Sequence, residues 1–212
     1  MSCVSDTEVS IPLLALFPLD LVLLPTSPLP LHIFEPRYKE MISECLESSK
    51  PFGVLRAAEE GIADVGCTAE ITNVIKKYPD GRMDIVTLGR QRFEVLQVNQ
   101  ERSFLQGEVI YIEDEARPSS SSEREQALQL HKEIMTLVGA VADRASEIDE
   151  QQLSFHLAGS LPLDPEFKQQ LLSMKSESER VQAIISFFGN ILPAMRRNIE
   201  VRRKAGGNGH AV

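Results

Sequence analysis

CTAEITNVIKKYPDGRMDIVTLG, Cys67–Gly89, is the stretch on which the fold turns. Two runs rich in β-branched residues, Cys67–Tyr78 and Arg82–Gly89, flank Pro79-Asp80-Gly81. That tripeptide offers a pre-set φ, an Asx-type turn and a residue tolerant of positive φ, so the stretch reads as a β-hairpin. Runs of the same character lie on either side, at Phe52–Ala57, Arg92–Gln100 and Phe104–Asp114. FEVLQV and VIYIE alternate, with Val109, Tyr111 and Glu113 facing one way and Ile110 and Ile112 the other. About five to seven short strands with one helix suit a small closed or half-closed barrel, which leaves few sheet edges open to other chains.

Upstream, Ile11–Phe34 is apolar but carries Asp20 and the prolines Pro12, Pro18, Pro25, Pro28 and Pro30, and it lacks a basic leader. It reads as extended edge strands and turns, neither a signal peptide nor a membrane span. At LPLHIFEPRYKEM, Leu29–Met41, the strand becomes a helix. Pro36 suits the first helical position, and Tyr38, Met41, Ile42, Cys45 and Leu46 form one apolar stripe. Glu35 sits at the positive end of the helix dipole, although it is not a favoured N-cap.

Downstream of RPSSSSE, Arg117–Glu123, the signals turn helical. One helix is expected over Glu123–Arg144 and a shorter one over Glu150–Leu157. A third opens at the N-cap Asp164 with Pro165 in first position, and a fourth follows a Ser176/Glu179 capping box. The last has an apolar stripe from Val181 to Met195 and should kink or lose regularity at Pro193. The expected division is a barrel domain at 1–116, a helical subdomain at 117–204 and a disordered Gly-rich tail at 205–212.

At 212 residues the chain can bury a core without metals or disulfides. Its 42% hydrophobic and 25% charged content is that of a globular protein. The net charge of −9 lies entirely in the first 115 residues, which hold 10 basic and 19 acidic side chains against 12 and 12 in the remainder. That half repels a polyanion, which argues against nucleic acid. Cys3, Cys45 and Cys67 have no pairing pattern and read as reduced, fitting a cytoplasmic protein.

No phosphate loop, dinucleotide fingerprint, nucleophile elbow or H-E-x-x-H motif is found in the sequence. His32, His131, His156 and His210 are scattered, none with a ligand partner three or four residues on, so no metal, cofactor or catalytic residue is expected. Basic residues in RRNIEVRRK, Arg196–Lys204, complement a helix C-terminus.

The opening LALFPLDLVLLPTSPLPLHIFEPRY, then PFGVL, Gly66 at a strand start, the PDGR hairpin and LGRQRFEV together resemble the N-terminal substrate-recognition domain of Lon proteases, closely over Ile11–Glu115. LPLDPEFKQQLL and SESERVQAII are similar to parts of the helical subdomain that follows in Lon. The resemblance implies an α+β fold, a PUA-like pseudo-barrel with one short helix followed by a helical bundle, and a role in capturing unfolded or extended polypeptide. Lon continues into ATPase and Ser-Lys protease modules whose motifs this chain lacks, so a stand-alone, non-enzymatic domain is expected rather than a fragment. It would serve as an adaptor, with a protease or chaperone in trans as a further partner and no membrane partner.

The expected binding groove is lined by Leu23, Leu24, Pro25, Pro28 and Leu29, beside Phe34 and Tyr38, with Glu35 and Arg37 pinning the strand-to-helix corner. Two other classes stand beside it. PUA-like barrels elsewhere bind RNA, and a barrel pocket without sequence signature would take a small molecule.

Overall fold

The computed structural model describes residues 13–59, 61–115, 118–140 and 149–207, with side chains to residue 200. Expectations for Cys3, Pro12, His210, Arg117, the helical turns at 141–144 and the tail from 208 lie outside the described residues. The chain divides into two compact units, Met1–Ile112 and Glu113–Val212.

In the first unit the strands are β1 (Leu13–Leu19), β2 (Pro28–Ile33), β3 (Phe52–Ala58), β4 (Gly61–Ile62), β5 (Val65–Lys77), β6 (Met83–Asn99) and β7 (Leu105–Tyr111), with α1 (Pro36–Ser48) after β2. The order β1-β7-β6-β5-β3 closes on itself because β1 also pairs with β3 in parallel, giving a barrel. Leu14, Leu16, Leu55, Phe93 and Val109 form its interior. The two runs expected after the hairpin are one strand: β6 passes unbroken from the hairpin into the barrel wall. Within β6, Gly89 admits the close approach of the segment before β2, since a side-chain Cβ there would lie 2.1 Å from the Leu24 carbonyl oxygen. Gly66 is held to hydrogen for the same reason, by the Val54 carbonyl at 2.4 Å.

The hairpin turn is as read. Gly81 has φ +81, the Tyr78 N–H donates to the Arg82 carbonyl (2.9 Å), and Asp80 Oδ1 accepts from the Arg82 N–H (3.2 Å). Beyond the barrel, the outer halves of β5 and β6 and the whole of β2 form a three-stranded arm, with β6 in the middle. Of four register shifts in the ladders of β5–β7, two turn an apolar side chain outward. Val74 pairs with Ile85 and Lys76 with Asp84, which leaves Ile75 unmatched and 62% exposed. Val95 pairs with Val109 and Gln97 with Glu108, which leaves Leu96 unmatched and 53% exposed. An extra residue in one strand shifts the pleat and turns an apolar side chain outward. Near the end of β7, Ile110 and Tyr111 are both exposed, so the alternation read in VIYIE stops where the strand does.

The second unit holds α2 (Ser121–Leu137), α3 (Leu153–Gly159), α4 (Pro165–Ser173) and α5 (Glu177–Gly207). Ser120, in the RPSSSSE stretch ahead of the expected helix start at Glu123, caps α2 in a full capping box with Glu123. That helix stops at Leu137 because Gly139 takes φ +72, and the Gly139 and Ala140 N–H groups return to the Thr136 and Met135 carbonyls. Asp164 caps α4 as expected, accepting from the Glu166 N–H. α5 is helical through Pro193 and on through residues 205–207.

Arg180 is fully buried at the centre of this unit. Its guanidinium donates to Asp114 Oδ1 (2.9 Å) and Oδ2 (2.6 Å), Glu177 Oε2 (2.7 Å), Ser154 Oγ (2.9 Å) and the Met174 carbonyl (2.9 Å). It also lies 4.3 Å from the Phe155 ring centroid. Burial pushes the Glu177 carboxyl upward, opposed by donors from Ser154 and Arg180.

Candidate functional site

The residues expected to line a groove divide by exposure. Leu23 and Leu24 are 3% and 1% exposed, Pro25 is buried, and Tyr38 is 7% exposed with its ring 4.0 Å from that of Phe17. These four are core, so the groove does not exist in the expected form. The cause is the segment before β2, which folds onto β6 through Thr26 N–H to Gly89 O (2.9 Å) and Gly89 N–H to Ser27 O (3.0 Å). Pro28 is exposed, Leu29 is half-buried, and Phe34 stands 59% exposed at the end of β2.

At the corner, Glu35 does not cap α1 with its side chain, and its carboxylate accepts from Arg37 Nε (2.9 Å). Arg37 in turn covers the Tyr38 ring at 4.5 Å. Burial raises the Tyr38 hydroxyl above its ordinary range, so it stays a neutral packing group.

The surface that does form is the outer face of the arm. Pro28, Pro30 and His32 are the exposed alternates of β2, paired with Leu88, Val86 and Asp84 of β6. Toward the hairpin this face becomes aromatic and charged. Asp84 sits between His32 Nδ1 (2.5 Å) and the Tyr78 hydroxyl, which donates to it at 2.8 Å. The His32 ring stacks on Phe34 (centroids 5.9 Å) and meets Tyr78 edge-on (6.1 Å). Lys76 Nζ and the Arg82 guanidinium lie 4.5 and 4.9 Å from the Tyr78 centroid. The His32 and Tyr78 hydrogen bonds hold the Asp84 carboxyl below the usual carboxylate range. A half-exposed His–Asp pair on an open sheet, its carboxylate held ionised, orients rings and does not assemble a catalytic pocket.

Sequence reasoning reached Phe34 and missed Ile75, Lys76, Tyr78, Arg82 and Asp84. Those residues lay in the quoted hairpin, but only the register against β2 shows that Asp84 meets His32.

A separate cleft of about 650 Å³ opens among Leu13, Met41, Glu44, Glu47, Phe104 and Tyr111. Glu44 is tied to Arg102, and burial pushes the Cys45 thiol up to about 11, so that sulfur stays protonated. Cys67 is fully buried with its thiol at about 12, and both cysteines are small core residues. Among the described residues no group of three His, Cys, Asp or Glu is placed to hold a metal ion, and no helix is long and apolar enough to cross a membrane.

Comparison with known proteins follows the same lines. Residues 13–188 match the ATP-dependent protease La (LON) substrate-binding domain. The Lon protease of Parabacteroides distasonis is 27% identical over 133 residues, covering 58% of this chain and 16% of that protein. The Lon protease of Flavobacterium johnsoniae is 24% identical over 94% of this chain and 26% of its own length. The chain therefore spans about a quarter or less of these relatives. Among solved structures, a Lon N-terminal domain protein from Xanthomonas campestris has a TM-score of 0.67 at 27% identity, covering 83% of this chain and 98% of that one. The N-terminal domain of a Mycobacterium avium complex Lon protease has a TM-score of 0.65 at 16% identity over 84% of this chain and 98% of its own, a likeness of fold.

Proposed function

The chain belongs to the Lon substrate-binding domain family, and from that premise we propose that it is a non-enzymatic module that captures unfolded or extended polypeptide through the outer face of its β2–β6–β5 arm. One observation carries the reading: Phe34 is held 59% exposed by stacking on His32, which is itself fixed by Asp84. What supports the reading is that the ring is not isolated, since a contiguous exposed apolar patch, unlike a single exposed side chain, marks an interaction surface. Pro28, Pro30, Val86 and Leu88 extend the surface along the strands, so an extended segment has several side-chain positions to touch. An adaptor role follows if a protease or chaperone in trans receives what is captured.

The test replaces Phe34 with a photo-crosslinking aromatic amino acid and challenges the chain with a urea-denatured model protein. Crosslinks concentrated at this position, and capture reduced at least about fivefold by Phe34→Glu, are the expected results. Because the side chain is exposed, Phe34→Ala should leave stability within about 0.5 kcal/mol. Capture that is indifferent to Phe34→Glu would overturn the assignment.

A further inference from the structure

The two outer edges of the arm offer different backbones. β2 carries Pro28 and Pro30 at alternate positions, and its ladder to β6 is unbroken over six pairs. Prolines cannot donate, so the donors of that ladder come from Leu29, Leu31 and Ile33, and Pro28 and Pro30 leave the outer edge poor in N–H groups. The segment Glu70–Lys77 of β5 contains no proline, pairs with β6 on one side only, and leaves β3 after Ala69. It is an open edge with donors and acceptors, interrupted by register shifts at Ile71/Asn73 and at Val74/Lys76, and Ile75 projects from the second.

This edge is also the basic pole of an acidic unit. Lys76, Lys77 and Arg82 belong to the hairpin, and Lys39 joins them by donating to the Asp80 carbonyl at 2.9 Å. The carboxylates interleaved with these four cations are Asp80 and Asp84, so the pole is positive within a half-chain of 10 basic and 19 acidic residues. Arg82 is committed to Asp80 (2.7 Å), whereas Lys77 has no ion-pair partner among the described residues.

We propose that the β5 edge, Glu70–Lys77, takes up an extended acidic segment of another polypeptide as an added strand, with Lys76 and Lys77 meeting its carboxylates. The proposal rests on the polypeptide-binding reading above and names its substrate class and the backbone that holds it. A second copy pairing antiparallel along the whole edge would offer Lys77 a single carboxylate, Glu70, which is already held by Arg90, so it is a poorer occupant than a segment carrying several free carboxylates. Nucleic acid is disfavoured because a long polyanion leaving the pole meets the acidic remainder of the unit. An added strand of about six residues spans only about 20 Å and stays on the pole.

The experiment measures fluorescence anisotropy with an end-blocked, labelled octapeptide of four consecutive aspartates flanked by two valines on each side, which presents carboxylates on both faces of an added strand. Its controls are the same peptide with lysine for aspartate, an eight-nucleotide RNA, and two acidic peptides N-methylated at odd or at even positions. The acidic peptide should bind at least about tenfold tighter than the lysine peptide, and Lys76→Glu/Lys77→Glu should reverse the preference. Added strands point alternate N–H groups at the edge, so only one phase of N-methylation should abolish binding. Equal effects of the two phases, an unchanged preference in the double variant, or RNA binding without acidic-peptide binding would each overturn it. If no peptide binds while Phe34-dependent capture persists, the edge assignment fails and the broader reading stands; loss of both removes the broader reading.

Discussion

The barrel and the helical unit are ordered by different means. Among the described residues of the barrel unit most buried side chains are apolar, with Thr68, Thr87 and Arg92 as exceptions, and the ion pairs Arg82–Asp80, Arg90–Glu70 and Arg102–Glu40 lie at the surface. Inside the helical unit a fully buried arginine joins Asp114, Glu177 and Ser154. Sheet ladders are directional, so pairing register already fixes one arrangement of the strands. Helices satisfy their own backbones, and apolar packing between them is non-directional. A polar hub with fixed hydrogen-bond geometry therefore supplies in the helical unit the uniqueness that backbone pairing supplies in the barrel.

The largest effect expected from this comparison is at Arg180. Arg180→Ala leaves Asp114 and Glu177 without their buried partner and should cost about 3–5 kcal/mol, read as the urea midpoint of the helical signal and as faster hydrogen exchange in α2–α5. A loss below about 1 kcal/mol would break the comparison. Next come the glycines. Gly89→Ala drives a methyl into the Leu24 carbonyl and should destabilise by about 1–3 kcal/mol. Gly189→Ala, in α5 with nothing within 4 Å of the added carbon, should stabilise by roughly 0.5–1 kcal/mol. Opposite signs in melting temperature sharpen the contrast, and equal signs erase it.

The smallest effect is a pH dependence at His131. This ring is buried, accepts or donates at Ser160 Oγ (2.7 Å), and is held below the ordinary histidine range by burial and then by His156. Below the unfolded value of about 6.5 the unfolded chain binds the proton more readily than the folded one. The contribution of His131 is thus complete above that value and is lost as pH falls toward the depressed folded value. Urea midpoints at pH 7.5 and 5.5 should show the loss, and His131→Gln should flatten that part of the profile.

Element type was legible wherever a local signal had no competitor. Pro79-Asp80-Gly81 made its turn, Asp164 capped α4, and the α1 stripe buried Tyr38, Met41, Ile42 and Cys45. Reading failed where an element's meaning depended on a partner elsewhere. Leu23 and Leu24 looked like groove because prolines flank them, yet the close approach admitted by Gly89 pulls them into the core. The helix start was placed at Glu123, although S-x-x-E was present to mark Ser120 as a cap. Of the candidate site, Phe34 and Pro28 were within reach of the sequence, whereas the cluster around Tyr78 and Asp84 was not.

By itself the amino-acid order determined the hairpin, the strand-to-helix corner, the change from strands to helices near residue 115 and the family to which they point, because each rests on preferences that act over a few neighbouring residues. Tertiary structure alone decided that Ile75 and Leu96 face outward, that His32 meets Asp84 across 52 positions of chain, and that Arg180 is a hub and not a surface charge. The physical reason is register: pairing distant strands and helices sets which side chains share a face, and one inserted residue reverses that choice without altering any local propensity.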